Sequence, residues 1–201
     1  MQFQESIICS IGHTNAHYAE TVKAIERGSR HATHLFNAMR GLHHREPGAL
    51  GALLLAQNVS AELIADGIHV HPAMIRLAWQ IKGAERLVLV TDAMRAKCLG
   101  DGCYDLGGQV VHVSKGEARL ADDILAGSTL TMEAAIQNMQ QFTGCSFVEA
   151  VQMATATPAK ILGIFHERGS ITQGKIADLV VLNASGIVQS TIVAGCRIFS
   201  L

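Results

Sequence analysis

Four apolar runs punctuate the first half of the chain: Ser6–Ile11, Ala32–Phe36, Ala61–Ala65 and Arg86–Val90. Each is followed by polar or glycine-rich sequence. The last, RLVLV, is nearly continuous in apolar residues, the pattern of a strand buried on both faces of a parallel sheet. Helical patterns lie between the runs. Residues 18–27 carry Val22 and Ile25 on one face and meet Gly28, a C′ glycine. Residues 72–82 open with proline, repeat Ile75, Ala78 and Trp79, and stop at Gly83. Strand, loop, helix and strand in repetition predict parallel βα units, hence an α/β protein.

The second half has a different rhythm. Residues 104–120 alternate around glycines and predict a short hairpin with turns near Gly107-Gly108 and Lys115-Gly116. Met132, Ala135, Ile136 and Met139 form a helical stripe, and Ser146 with Glu149 has the capping-box spacing before another helix. A short helix is expected from near Pro158 to Gly163. Strands over 177–182 and 190–198, separated by Gly186, close the chain. There is no repeat, low-complexity tract or linker.

Composition narrows the function classes. The 201 residues carry 16 Lys+Arg against 17 Asp+Glu, are 49% hydrophobic, and have a mean hydropathy of +0.25. Disorder needs higher net charge and fewer apolar groups. Near-neutral charge removes the electrostatic case for nucleic acid or an anionic membrane as partner. The longest apolar stretch, around Leu50 to Ala56, falls far short of the roughly 20 residues of a membrane helix. The opening MQFQESIICS has neither a basic n-region nor a long apolar h-region, so no secretory signal is expected. Five scattered cysteines without a CxxC pair predict neither a disulfide framework nor a cysteine zinc site, and fit a reducing cytoplasm.

Eight of the ten histidines fall between His13 and His71. His13 follows the first run, His34 sits within or after the second, and Asp92 follows the fourth. Ligands of parallel βα folds bind outside the carboxyl ends of strands, and two histidines with a carboxylate make a competent zinc set. Two histidines 21 residues apart are not a ligand motif by spacing, so hydrogen-bonded loop histidines stand as the alternative. Asp92 could equally cap a helix. His69 is a third strand-end histidine; it or His71 could cap the helix opening at Pro72. Arg45, in GLHHREPG, suits a phosphate or carboxylate through bidentate hydrogen bonds, with a solvated surface loop as the alternative.

GHTNA, HLFNAM, the REPG loop, ADGIHV, LVTDAM and LAGSTLTM occur in the order and spacing of another set of proteins. In combination they resemble the N-acetylglucosamine-6-phosphate deacetylase family, and the tail TATPAKILGIFHERGSITQGKIADLVVLN resembles the closing signature of the wider amidohydrolase superfamily. The resemblance implies a (β/α)8 barrel with a small β-sandwich, and hydrolysis of the N-acetyl group of a phosphorylated amino sugar. It places His13 and His34 as metal ligands after barrel strands five and six, with zinc first and iron, manganese or cobalt as alternatives. It makes Asp92 the catalytic aspartate after strand eight. Asn37, Ala38, Arg45, His69 and the backbone of Leu125, Ala126 and Gly127 match substrate-contacting positions. Arg45 is implied to reach the phosphate of a neighbouring subunit's substrate, hence a homodimer.

The family's glutamate ligand, a further substrate histidine, barrel strands one to four and the first part of the sandwich lie upstream of the matched segment. The expected architecture is therefore the C-terminal half of a barrel over residues 1–165, including the hairpin near 104–120, and sandwich strands over 166–201. Such a piece leaves two sheet edges and an apolar face unpaired. An inactive truncated fragment, or one part of a split assembly, is the alternative to an active deacetylase. Another amidohydrolase, a cyclic amidase or deaminase, is a further alternative.

Overall fold

Four short parallel strands form the central sheet of the computed structural model, which describes residues 7–201. They are β1 (Ser10–Ile11), β2 (His31–Ala32), β3 (Ser60–Leu63) and β4 (Leu87–Leu89), in the spatial order β1-β2-β3-β4. Ser6 of the first predicted run lies outside the described residues. The helix between β1 and β2 is α1 (Tyr18–Glu26); α2 (Gly48–Leu55) links β2 to β3, and α3 (Pro72–Lys82) links β3 to β4. The βα grammar read from the sequence is thus present. All three residues of β4 are buried, as a strand covered on both faces requires.

Two expectations need correction here. The run Ala32–Phe36 is strand only at its start, because the backbone turns at His34 (φ 28°), Phe36 (φ 80°) and Ala38 (φ 50°). Its apolar character comes from Leu35, fully buried in a turn rather than a strand. The helix α2 had no predicted counterpart. Seven of its eight residues are buried, so GALGALLL shows no polar face and hence no period.

Beyond β4 the chain forms a three-stranded antiparallel meander, β5 (Gly102–Leu106), β6 (Gln109–Ser114) and β7 (Glu117–Arg119), where a hairpin was predicted. Both predicted turns are two-residue loops with positive φ at each position, Gly107-Gly108 and Lys115-Gly116, the geometry that matches strand twist. Val111, Val113 and Ala118 pack with Met94 and Ala96, so the meander sits on the segment that follows β4.

The helices α4 (Met132–Thr143), α5 (Phe147–Ala154) and α6 (Ala156–Ile161) then return to the sheet. Thr131 caps α4 and Gly144 ends it in the left-handed region, while Ser146 and Glu149 form the predicted reciprocal capping box on α5. Leu53, Leu63, Ile64, Ile75, Leu87, Met139 and Met153 are fully buried in one continuous core between sheet and helices. Burying each such side chain contributes roughly 1.5–3 kcal/mol.

A separate antiparallel sheet, in the order β10-β9-β8, ends the chain: β8 (Leu179–Leu182), β9 (Val188–Val193) and β10 (Cys196–Ser200). The predicted strand over 190–198 is in fact parts of two strands. It is broken by a turn at Ala194-Gly195, where both residues have positive φ. Among the described residues, no helix is long and apolar enough to cross a membrane.

Candidate active site

Because the four strands are parallel and in register, their C-terminal ends share one edge of the sheet. Ile11, Ala32, Ala61 and Leu87 align across it. His13 and His34 each lie two residues beyond their aligned position, and Asp66 and Asp92 each lie five beyond theirs. Three of these strand-end residues, His13 (φ 43°), His34 (φ 28°) and Asp92 (φ 47°), hold positive φ. His and Asp tolerate that region better than most residues, yet each instance still costs on the order of 1–3 kcal/mol. Strained backbone of this kind is a feature that functional sites often carry.

The two histidines meet. His13 Nε2 and His34 Nε2 are 2.9 Å apart, their rings 4.7 Å between centroids and at 77°. His34 is 9% exposed, and its Nδ1 is buried with no hydrogen-bond partner among the described residues. Two nitrogens on one tetrahedral metal, each about 2.0–2.1 Å from it, stand about 3.3 Å apart. The pair therefore fits as two donors to a shared cation. It is an incomplete set, since no group of three or more His, Cys, Asp or Glu that could hold a metal occurs among the described residues.

The loop after His34 is laced to the loop after His13. Thr14 N–H donates to Ala38 C=O (3.0 Å), and Arg40 N–H donates to Thr14 C=O (3.1 Å). Asn37 turns its amide inward, with Nδ2 3.3 Å from the carbonyls of both His34 and Leu35, so that it braces the turn carrying His34. A shallow cleft opens between the two loops, lined by His13, Thr14, Asn15, Ala38, Met39 and Arg40.

His69 and Asp66 form a buried pair, with Nδ1 2.6 Å from Asp66 Oδ2 and side chains 8% and 7% exposed. Asp66 Oδ1 also accepts the Ile68 and His69 N–H groups, each at 2.8 Å. Burial pushes the Asp66 carboxyl up, but the His69 side chain and these two amides outweigh it and hold it below its ordinary value. The helix cap is His71, not His69: its Nδ1 accepts from Ala73 N–H at 3.2 Å.

Asp92 caps no helix, because turns follow at residues 95–99. Its backbone is fixed instead by the segment after the meander. Ser128 N–H donates to Asp92 C=O (2.8 Å), Met94 N–H donates to Ser128 C=O (2.9 Å), and Ser128 Oγ donates to Thr91 C=O. Leu125, Ala126 and Gly127 run directly before this anchor, with Ala126 N–H donating to Ala118 C=O on β7 (2.9 Å). Gly127 has φ 66°, and a Cβ there would stand 3.3 Å from Asp92 O and 3.2 Å from Met94 Cβ. Glycine is thus what the backbone beside Asp92 demands.

Arg45 lies in an exposed loop, its Nη1 2.7 Å from His44 Nε2. Its neighbour Glu46 ties that loop to α1, accepting from Tyr18 N–H (2.8 Å) and Gly48 N–H (3.2 Å). These amides, the Tyr18 one foremost, hold the Glu46 carboxyl below its ordinary value.

Sequence reasoning passed over Glu62 on β3. Its Oε2 accepts His34 N–H (3.1 Å), and its Oε1 lies 3.2 Å from His31 Nε2. Burial pushes this carboxyl up, but the His31 hydrogen bond and the His34 amide bring it below its ordinary value. The available signal was a charge inside an otherwise apolar strand, which persists only when paired. Asp66 had a comparable signal, an acid three residues before a strand-end histidine.

Parallel βα units bring His13, His34 and Asp92 to one edge of the sheet. The amidohydrolase family model matches residues 2–198, and the chain belongs to that family. Within it, the chain is 48% identical to N-acetylglucosamine-6-phosphate deacetylase of Bacillus subtilis (strain 168) over 191 residues, 95% of this chain and 48% of that protein. It is 42% identical to N-acetylgalactosamine-6-phosphate deacetylase of Escherichia coli O157:H7 over 192 residues, 96% of this chain and 51% of that one. The crystal structure of N-acetylglucosamine-6-phosphate deacetylase from Thermotoga maritima superposes with a TM-score of 0.92 at 41% identity, over 98% of this chain and 54% of that chain. The chain spans about half the length of each of these three proteins.

Proposed function

We propose that the chain is the C-terminal portion of an N-acetylglucosamine-6-phosphate deacetylase, which converts its substrate and water to glucosamine 6-phosphate and acetate. The observation that carries the reading is the 2.9 Å approach of His13 and His34 at adjacent parallel strand ends. In this reading β1–β4 correspond to strands five to eight of a (β/α)8 barrel within residues 1–165. The sheet β8–β10 belongs to a β-sandwich over 166–201.

His13 and His34 hold a divalent metal, zinc in the first instance, together with donors from outside the described residues. When bound, the metal supplies Lewis acidity to the acetamide carbonyl and to water. Asp92 accepts a proton from the attacking water and delivers it to the departing amine, so one carboxylate serves as base and then as acid. Its backbone carbonyl is anchored by the Ser128 amide. His69, its Nδ1 held by Asp66, and Arg45 bind the sugar phosphate, together with Asn37, Ala38 and the 125–127 backbone. Remote binding of this kind positions the acetamide for attack. Arg45 serves the site of a second subunit, consistent with its exposure in a loop.

The relatives also favour a second reading, the same chemistry on the galactosamine epimer. Acetate release by the full chain supplied with zinc, measured on both N-acetylhexosamine 6-phosphates, tests the two. Loss of release in Asp92→Asn on either substrate supports the shared mechanism. Undiminished release by Asp92→Asn, against a parent that releases acetate, overturns it.

A further inference from the structure

Glu62 takes part in none of the steps above, yet the histidine pair leans on it. It lies on β3, beside the strand that leads into His34. Its carboxylate reaches in two directions, to His34 N–H (3.1 Å) through Oε2 and to His31 Nε2 (3.2 Å) through Oε1. Its own carbonyl accepts the next amide, Leu35 N–H, at 2.8 Å. Two consecutive amides of the turn are therefore held by one residue of the neighbouring strand. His31 is fixed in turn at its other ring nitrogen, 2.6 Å from Ser60 Oγ. The backbone gripped here takes a path that side-chain-bearing residues do not keep unaided, with positive φ at His34, Phe36 and Ala38. The His34 ring has no tether of its own, because its Nδ1 lacks a partner and its Nε2 faces His13. Beyond packing and the contact with His13, the hydrogen bonds that anchor His34 among the described residues are those of its backbone.

We propose that Glu62 is a positioning residue whose carboxylate, anchored by His31, latches the His34 amide and so holds the His34 imidazole at ligating distance from His13. Outer partners of metal-binding histidines usually act on the free ring nitrogen; here the same task falls to the main chain. The inference rests on the reading of His13 and His34 as metal ligands. If Glu62 served only to pair with His31 and steady the sheet, its removal would lower stability and leave the geometry at His34 alone.

The test uses the full chain with zinc ion alone as probe. Zinc affinity is read by competition calorimetry, and exchange of the His34 amide proton by NMR. In Glu62→Ala, zinc should bind roughly tenfold or more weakly, as for loss of other outer partners, and the His34 amide should exchange faster. Glu62→Asp keeps the charge but loses the reach of one methylene, and should show the same two changes; it decides the matter if the alanine variant does not fold. Parent-like affinity and parent-like His34 exchange in a folded variant overturn the proposal. Parent-like zinc binding in His13→Ala and His34→Ala instead overturns the ligand reading, and is distinguishable because Glu62 is intact there.

Discussion

Lys82 shows how much a single residue can set against the rest of the molecule. It is fully buried, and its Nζ donates to Ala56 C=O (2.7 Å) and Val59 C=O (2.8 Å) just past the end of α2. Burial, with Arg86 nearby, lowers its pKa from 10.5 to about 8. Between those values the unfolded chain binds more protons than the folded one, so this residue's contribution to stability rises with pH. The rise amounts to roughly 3 kcal/mol over the interval. Urea unfolding between pH 8 and 10.5 should show it, and Lys82→Met should remove that slope. Asp66 and Glu62 give a slope of the same sign, but in acid. Both carboxyls sit below their ordinary values of 3.8 and 4.5, so their contribution is complete above those values and is lost as pH falls through the lower folded-state values. Asp66→Asn should flatten the acid limb of the stability curve. Gly127→Ala should destabilise by roughly 1–3 kcal/mol, since it adds both a strained φ and a close contact beside Asp92. Equal urea midpoints for this variant and the parent would remove glycine's role at Asp92.

At the scale of elements, legibility in the sequence followed the strength of the local signal. The helix over 72–82 was readable to the residue because Pro72, the stripe through Ile75 and Ala78, and Gly83 all agree. The capping box at Ser146 and both meander turns were readable for the same reason. The helix α2 was not, because burial on every side erases the period that marks a helix. Leu53→Ala should accordingly cost about 2–5 kcal/mol, the range for a leucine in a core that cannot collapse, despite the weak sequence signal. A loss below 1 kcal/mol in urea unfolding would show that α2 is peripheral. The site was half legible. His13, His34 and Asp92 announce themselves by following apolar runs. Glu62, which holds the His34 amide, and Ser128, which holds the Asp92 carbonyl, act from distant parts of the chain, and no linear spacing encodes such a contact.

At the scale of the whole molecule, the open sheet decides what the chain can do by itself. Among the described residues β1 pairs only with β2, and β4 only with β3, so each presents an unpaired edge. Ile7 and Ile8, 62% and 42% exposed, lie just before one of those edges, and the terminal sheet exposes Val180, Val181, Ile198 and Phe199. Unpaired edges beside exposed apolar residues are templates for association. The metal donors are incomplete in the same sense, since two imidazoles fall short of the three or four protein ligands zinc usually takes. The isolated chain should therefore elute from gel filtration as associated species, bind an apolar dye, and hold zinc more weakly than nanomolar. Zinc binding should weaken further in His13→Ala. A compact monomer with nanomolar zinc affinity and full acetate release would refute this expectation. It would also mean that residues 1–201 contain a third ligand and a closed core that these contacts do not display.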